Sequence, residues 1–389
     1  MRALCWNGIN DLRVETVPDP QIVNPHDVIL KVRRSTTCGS DLHLIGGYMP
    51  TMREGDIIGH EFMGEVVETG TDVTHVKVGQ RVVVPSFISC GSCWHCRRTE
   101  FSLCDNTNPN GYMQEPLLGY PTGGIFGYTH AFGGYAGSHA TYVRVPHADV
   151  GCFEIPEEVT DDDALFLSDA GPTGFMGADF CDIQPGATVA VWGCGGVGLM
   201  AQQSAFLLGA ERVIAIDRYP ERLALAREVG SETLNYEQVE NVVDVLREMT
   251  GGSGPDACID AVGMEAHGSG AGYAFDRVKQ ALHLHTDRGQ ALREAIRACR
   301  KGGVLSILGV YGMIDKFPIG VIINKGLTVK TAQMHGQRYV PKLLDYARKG
   351  KLKSSFLATH TMPLEDAVRG YAMFKDKEDG CVRSVFVPA

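Results

Sequence analysis

Four cysteines lie close together in the chain, with the spacing C-x2-C-x2-C-x7-C. Thiolates at such short spacings can surround a tetrahedral zinc ion and close it off from solvent. An iron–sulfur cluster is the rival interpretation, but the bacterial ferredoxin run has a shorter last gap followed by proline, whereas Cys104 precedes Asp105. Disulfides are the ordinary alternative and are disfavoured in a reducing compartment. We therefore expect a structural zinc ion bound by Cys90, Cys93, Cys96 and Cys104.

A glycine motif occurs at residues 193–198, where the sequence G-C-G-G-V-G matches G-x-G-x-x-G. The first glycine permits a tight turn, the second lets the backbone approach a pyrophosphate, and the third allows a helix to pack closely on a strand. A glycine-rich structural turn is the alternative, but the motif follows a predicted strand over 188–192 and opens a predicted helix over 197–208. We expect a dinucleotide to bind at Gly193, Gly195, Gly196, Val197 and Gly198.

Asp217 ends the next predicted strand, 213–217, where an acidic residue can accept hydrogen bonds from the adenosine ribose of the dinucleotide. The same carboxylate would repel a 2′-phosphate, so the sequence favours NAD over NADP. Arg218 and Arg222 lie close by in the sequence and weaken that preference, because arginine can bind a 2′-phosphate.

A second candidate metal site involves Cys38 and His60, which belong to the segments C-G-S-D-L-H (38–43) and G-H-E (59–61). Spacing alone does not pair them, because a lone cysteine is usually a core residue and a lone histidine usually makes ordinary hydrogen bonds. The G-H-E motif, the glycines that follow it, the upstream cysteine and the four-cysteine segment together resemble the zinc-dependent medium-chain alcohol dehydrogenases. The resemblance runs along essentially the whole chain.

The resemblance implies three protein ligands for a catalytic zinc ion: a cysteine, the histidine of G-H-E, and a third cysteine or acid before the nucleotide domain. The segment L-S-D-A-G-P-T-G (167–174) occupies the third place and contains no cysteine, so its aspartate becomes the candidate. An aspartate in this context, and a long insertion over 264–287, are similar to the glutathione-independent formaldehyde dehydrogenase and formaldehyde dismutase branch. The implied ligands, which leave a fourth position for substrate, are Cys38, His60 and Asp169.

The same resemblance implies the roles of four polar residues around this zinc ion. Glu61 would lie behind the metal, either in contact with its ligands or as a transient ligand, and Asp41 would orient His60 by accepting its other ring N–H. Ser40 would take the proton from the substrate and His43 would release it, with the nicotinamide ribose as the bridge between them. The alternative for His43 is an ordinary surface histidine.

Four further residues are implied to contact the nicotinamide. Thr173 and Val262 would line the ring, and the backbone of Gly309 and Val310 would contact its amide. Zinc would polarise a bound oxygen and lower its pKa, and the cofactor would accept the hydride. For formaldehyde, the hydrated gem-diol would be the hydride donor and formate the product.

The predicted secondary structure that must position these residues differs between the first part of the chain and the rest. Up to about residue 150, short β-branched runs at 28–32, 64–68 and 81–84 are separated by Gly, Pro and Asp turns, which indicates a β-rich region. Further on, short apolar strands alternate with helices, a pattern typical of a parallel, doubly wound sheet. With the resemblance, the expected fold class is α/β: a GroES-like β-rich catalytic domain over 1–169 and 337–389, and a Rossmann NAD-binding domain over 170–336.

Composition restricts the partners. The formal net charge is −10, which argues against a nucleic-acid-binding protein. Residues 183–210 carry no charge and could span a bilayer, but Pro185, Gly186 and the glycine motif interrupt them, so we expect no membrane span. The N-terminal residues contain no apolar run typical of a signal peptide, so we expect a cytoplasmic protein with reduced cysteines. The family resemblance implies a homotetramer or homodimer.

Three hypotheses for the function stay open on the sequence alone. The favoured one is a zinc- and NAD-dependent oxidoreductase acting on a small-molecule alcohol or aldehyde hydrate, with formaldehyde as substrate. A polyol, threonine or broad-specificity alcohol dehydrogenase uses the same metal and cofactor, so the ligand set does not separate it from the first. A catalytically inactive nucleotide-binding protein would hold one zinc ion per chain, at the four cysteines, whereas the enzyme would hold two.

Overall fold

The structure is a computed structural model that describes residues 1–264, 289–312, 314 and 316–389. From residue 265 onward, the predicted insertion lies outside the described residues. The chain divides into two compact units, one formed by Met1–Pro172 with Met334–Ala389 and the other by Thr173–Gln333. These bounds differ by a few residues from the expected 169 and 336. At the first boundary, one helix, Ala170–Phe180, runs across the junction.

The strands of the described residues are numbered in chain order. They are β1 (Arg2–Gly8), β2 (Asp11–Thr16), β3 (Val28–Thr36), β4 (Asp56–Ile57), β5 (Glu61–Thr69), β6 (Arg81–Val84), β7 (Tyr142–Val145), β8 (Phe153–Glu154), β9 (Thr188–Trp192), β10 (Arg212–Asp217), β11 (Glu232–Asn235), β12 (Ala257–Asp260), β13 (Val304–Ile307), β14 (Thr328–Thr331), β15 (His360–Pro363) and β16 (Ser384–Val387).

The α-helices within the described residues have at most seven residues before residue 170 and seven to thirteen residues after it. They are α1 (Gly39–Ile45), α2 (Trp94–Arg97), α3 (Glu115–Leu118), α4 (Ala148–Gly151), α5 (Asp161–Leu165), α6 (Ala170–Phe180), α7 (Gly196–Leu207), α8 (Pro220–Glu228), α9 (Val242–Met249), α10 (Gln290–Ala298), α11 (Ile319–Lys325), α12 (Gly336–Arg348) and α13 (Ala367–Asp376). No helix in this part of the chain has the length and apolar character needed to cross a lipid bilayer.

The first unit is β-rich and contains two sheets. The larger has the strand order β15-β16-β3-β5-β6-β8 with β7 also paired to β3, and the smaller has the order β2-β1-β4. The three β-branched runs recognised in the sequence form strands because their apolar side chains are buried in one core. Within that core, Phe62 and Phe126 pack edge to face with 5.2 Å between ring centroids.

The second unit contains a parallel sheet with the order β11-β10-β9-β12-β13-β14. This confirms the doubly wound α/β architecture expected from the alternating strands and helices. The order reverses between β9 and β12, and in such sheets a ligand binds beyond the carboxyl ends of the strands at that point. Strand β12 ends at Asp260, whose side chain accepts a hydrogen bond from Val262 N.

Candidate functional site

Strand pairing brings the two early motifs together. In the antiparallel pair β3–β5, Thr36 at the end of β3 lies opposite Glu61 at the start of β5. Cys38 follows β3 and His60 precedes β5, so both residues lie at the same end of the sheet. The pairing supplies the proximity that the sequence spacing alone does not predict.

Three potential metal-binding atoms meet at this end of the sheet. The Sγ atom of Cys38, a ring nitrogen of His60 and a carboxylate oxygen of Glu61 all lie within 4.8 Å of one another. All three residues are buried, with Glu61 0% exposed. Sulfur, imidazole nitrogen and carboxylate oxygen are the donor atoms that zinc prefers in proteins, so the residues present fit a zinc ion.

Asp41 lies next to His60. Its Oδ1 is 3.1 Å from His60 Nδ1, and its Oδ2 accepts a 2.8 Å hydrogen bond from Cys38 N. Burial raises the pKa of Asp41, but His60, with smaller contributions from His139 and Tyr371, lowers it to about 2. A carboxylate at this position favours a proton on Nδ1 of His60, which leaves Nε2 for a metal.

Glu61 is paired with a buried arginine that the sequence analysis missed. Arg383 Nη2 lies 3.2 Å from Glu61 Oε1, and the Arg383 side chain is 3% exposed. Burial raises the pKa of Glu61 to about 7; Arg383 lowers that pKa and the charge of nearby Asp169 raises it. The available sequence signal for Arg383 is a single charge within the apolar C-terminal run C-V-R-S-V-F-V.

Asp169, the predicted third ligand, is not part of the group that Cys38 and His60 form with Glu61. Its Oδ2 instead accepts a 2.5 Å hydrogen bond from Ser86 Oγ. It is nevertheless close enough for its charge to raise the pKa of Glu61. Besides Asp41, the structure thus presents two carboxylates as candidate metal ligands: Glu61, which lies with Cys38 and His60, and Asp169, whose charge acts on Glu61.

Ser40 and His43 lie on α1, the helix that begins immediately after Cys38. Ser40 Oγ is 3.3 Å from both Cys38 Sγ and His60 Nε2, so its hydroxyl faces the two candidate ligands. His43 is 5% exposed, which excludes an ordinary surface histidine. Residues three apart lie on the same side of a helix, so Ser40 and His43 share one face of α1.

The four cysteines of the C-x2-C-x2-C-x7-C segment form a second group in the same unit. Their Sγ atoms all lie within 4.8 Å of one another. All twelve cysteines of the chain are free thiols, so the disulfide alternative is not realised. Backbone N–H groups donate to these sulfurs, among them Cys93 N to Cys90 Sγ at 3.3 Å and Cys96 N to Cys93 Sγ at 3.4 Å. Such hydrogen bonds favour thiolates, the form that binds zinc.

The glycine motif forms a tight turn between β9 and α7. Gly193 has φ +93°, a left-handed conformation that favours glycine. A Cβ atom on Gly198 would overlap the carbonyl oxygen of Gly193, so the third glycine permits the close approach of α7 to the turn. The helix begins at Gly196 with Gly195 as its N-cap, and the free N–H groups of such a helix end can attract an anion.

Asp217 is buried at the end of β10 and contacts the glycine turn directly. Its Oδ2 accepts a 2.7 Å hydrogen bond from Cys194 N, and its Oδ1 accepts one of 2.6 Å from Arg218 N. The Arg218 guanidinium is paired with Glu237 at 3.0 Å. Arg222 lies over the ring of Tyr219, with 5.1 Å between the guanidinium carbon and the ring centroid.

The four residues expected at the nicotinamide belong to the second unit. Val262 lies beside the glycine turn, because a Cβ atom on Gly193 would be 3.0 Å from Val262 Cγ2. Gly309 and Val310 follow β13, and the Val310 carbonyl accepts a 3.0 Å hydrogen bond from Met264 N. Thr173 lies in α6 and is half-buried.

Comparison with known proteins gives matches along the whole chain. Residues 24–157 match the model of the alcohol dehydrogenase GroES-like domain, and residues 196–274 match that of the zinc-binding dehydrogenase. The chain is 40% identical to the uncharacterized zinc-type alcohol dehydrogenase-like protein AdhB of Bacillus subtilis (strain 168), with 100% of each covered. It is 34% identical to the glutathione-independent formaldehyde dehydrogenase of that organism, with 96% of this chain and 94% of the relative covered.

A solved structure is similar over the same length. The alcohol dehydrogenase TADH from Thermus sp. ATN1 matches with a TM-score of 0.84 and 33% sequence identity, and the match covers 100% of both chains. The GroES-like match falls in the β-rich unit, and the zinc-binding dehydrogenase match begins at the start of α7.

Proposed function

This chain belongs to the zinc-type alcohol dehydrogenases, a family of oxidoreductases, and from that premise we propose that it oxidises formaldehyde with NAD as hydride acceptor. The carrying observation is that acids, not a further cysteine, surround Cys38 and His60. Asp169 in the S-D-x-x-P-T-G context supports the formaldehyde branch, and a relative named as a formaldehyde dehydrogenase matches nearly the full length. The balanced reaction converts the gem-diol and NAD⁺ to formic acid, NADH and a proton.

We assign the catalytic zinc to Cys38, His60 and Asp169. One thiolate and one carboxylate neutralise the charge of Zn²⁺, and a neutral imidazole completes the set. Arg383 compensates the charge of Glu61, which favours Asp169 as the carboxylate that serves the metal. Glu61 is then a transient ligand that binds zinc only when another ligand leaves. Its position close to Cys38 and His60 is consistent with this role.

When bound, zinc supplies a Lewis acid that lowers the pKa of a substrate hydroxyl, and NAD accepts the hydride. Ser40 has its hydroxyl beside Cys38 Sγ and His60 Nε2, where it can accept a hydrogen bond from a substrate hydroxyl and take that proton while it gives up its own. His43, on the same face of α1, would release the proton, with the nicotinamide ribose as the bridge between Ser40 and His43. Asp41 holds His60 and does not move a proton itself.

For the dinucleotide, we propose NAD rather than NADP. The turn formed by Gly193, Gly195 and Gly198 would hold the pyrophosphate, and Asp217 would accept the ribose hydroxyls. Arg218 is engaged by Glu237, which reduces its capacity to bind a 2′-phosphate. The negative charge of Asp217 therefore has more effect than Arg218 at the adenosine ribose, and it disfavours the 2′-phosphate of NADP.

A homodimer or homotetramer in the cytoplasm completes the proposal. In the part of the chain that the structure describes, β14 pairs with β13 alone, and all four of its residues are exposed. Exposed Ile319 and Ile323 lie on the neighbouring helix α11. An open strand edge beside apolar side chains can pair with a second copy, because unpaired N–H and C=O groups template strand addition.

A steady-state substrate panel tests the proposed substrate. NAD reduction is measured with formaldehyde in the absence of glutathione, and with sorbitol, threonine and small primary and secondary alcohols. We expect formaldehyde to give the highest kcat/KM. If formaldehyde oxidation is undetectable while a polyol, threonine or secondary alcohol turns over, the formaldehyde assignment is wrong and the broader alcohol dehydrogenase hypothesis replaces it.

A further inference from the structure

Asp41, whose Oδ1 lies 3.1 Å from His60 Nδ1, is the end of a buried network of hydrogen bonds that includes two residues outside the proposed proton path, Tyr371 and His139. The Tyr371 hydroxyl lies 2.7 Å from Asp41 Oδ2, and His139 Nε2 lies 2.8 Å from the Tyr371 hydroxyl. At the far end, His139 Nδ1 lies 2.9 Å from Ser35 Oγ. These five residues are at most 4% exposed, so bulk water does not compete for these hydrogen bonds.

The direction of each hydrogen bond follows from the carboxylate of Asp41, which can only accept. Tyr371 has one hydroxyl proton and donates it to Asp41, so its oxygen accepts from His139 Nε2–H. Burial lowers the pKa of His139 to about 4, and a neutral ring that donates from Nε2 must accept at Nδ1. Ser35 therefore donates to His139. The chain runs in one direction, from Ser35 to Asp41.

The other oxygen of Asp41 faces the candidate zinc ligand. Asp41 Oδ1 lies 3.1 Å from His60 Nδ1, and a carboxylate at that position favours a proton on Nδ1. We propose that Tyr371 and His139 are positioning residues for His60: they fix the Asp41 carboxylate, which then holds His60 with its Nε2 lone pair available to zinc. This inference rests on the proposed zinc site at Cys38 and His60.

The His139 ring packs directly against the G-H-E segment. Gly59, directly before His60, has φ +96°, and a Cβ atom there would overlap the His139 ring. The His139 ring also meets the rings of Tyr371 and Phe386, with centroid distances of 5.7 and 5.0 Å. The glycine of G-H-E thus lets His139 pack against the backbone that carries the zinc ligand.

The test compares zinc retention in Tyr371→Phe with that in the wild type and in Tyr135→Phe. Tyr371→Phe keeps the ring and removes the hydroxyl that binds Asp41. Tyr135→Phe is the matched control, because the Tyr135 hydroxyl donates a 2.8 Å hydrogen bond to Thr107 O and takes no part in the hydrogen bonds that lead to Asp41. Zinc is titrated with a chelator and both zinc ions are counted. We expect the catalytic zinc of Tyr371→Phe to bind about tenfold more weakly, and the four-cysteine zinc and the control to be unchanged.

A second readout is the absorption spectrum with Co²⁺ in place of the catalytic zinc, which reports ligand geometry. We expect a changed spectrum in Tyr371→Phe and not in Tyr135→Phe. Wild-type zinc affinity together with a wild-type Co²⁺ spectrum in Tyr371→Phe would overturn the inference.

The four-cysteine zinc separates misfolding from failure of the proposed site. If Tyr371→Phe also loses that zinc, it has misfolded. Ser35→Ala then tests the inference, again by zinc affinity and by the Co²⁺ spectrum. That variant removes only the hydroxyl at the end of the chain, and unchanged affinity and spectrum would overturn the inference. A wild-type protein that holds zinc at the four cysteines alone overturns the proposed site, and this inference with it.

Discussion

Glu61 lies opposite Thr36 where β3 ends and β5 begins. This pairing joins Cys38 and His60, which belong to motifs separated in the sequence. Thr36 is also opposite Val385 of β16, so Arg383 reaches the same end of the sheet. One end of the larger sheet thereby brings together the candidate ligands and the buried cation that balances Glu61.

Arg383→Met should lower the free energy of unfolding by about 3–5 kcal/mol, because it leaves Glu61 buried without its counter-charge. Urea denaturation measures the change. In the double variant Glu61→Gln/Arg383→Met, part of the loss should be recovered, since no uncompensated charge then remains. Equal stability of Arg383→Met and the wild type would show that Arg383 does not balance Glu61.

Stability should decrease below pH 6.5 because of two buried histidines. Burial lowers the pKa of both His139 and His335 to about 4, against about 6.5 in an unfolded chain. The unfolded state takes up protons first, so the stabilisation is complete above pH 6.5 and is lost as the pH falls towards 4. At His335, protonation of Nδ1 would oppose the N–H of Ser102, which points at that nitrogen from 3.4 Å.

The measurement is the free energy of unfolding at pH 7 and pH 5, in the wild type and in His335→Gln. The difference between the two pH values should be smaller in the variant, since one of the two histidines is gone. An equal difference in both proteins would mean that His335 does not take up a proton on unfolding in this range.

The features that the sequence predicts well are those that depend on residues close together in the chain. The glycine motif, the four cysteines and the strands of the parallel sheet are each encoded within short segments, and β6 and β9 have the predicted bounds. Long-range pairing explains what it misses. Ser86, His139, Tyr371 and Arg383 are ordinary residues in the sequence, and they join the site only because strands and helices distant in the chain meet there.

The third ligand of the proposed catalytic zinc is likewise not fixed by a local sequence pattern. The family resemblance selects Asp169, whereas the structure places Glu61 closer to Cys38 and His60. The choice depends on charge compensation by Arg383, whose position follows from the pairing of β16 with β3. No local pattern in the chain contains that information.

Asp217→Ser should shift the cofactor preference towards NADP. The substitution removes the charge that repels a 2′-phosphate and the acceptor for the ribose hydroxyls. We expect the ratio of kcat/KM for NAD to that for NADP to fall about tenfold, equivalent to about 1.4 kcal/mol. Glu248→Gln is the control, because it removes an exposed negative charge from the same unit. An unchanged ratio in Asp217→Ser would remove Asp217 from cofactor selection.

The zinc content of the purified protein and of Asp169→Ala tests the central claim most directly. We predict two zinc ions per chain in the wild type and one in Asp169→Ala, with NAD reduction by formaldehyde lowered about 100-fold or more in the variant. Asp162→Ala, which breaks only a surface ion pair with Arg34, should keep both ions and full activity. One zinc ion per wild-type chain, or two ions with full activity in Asp169→Ala, would contradict the account.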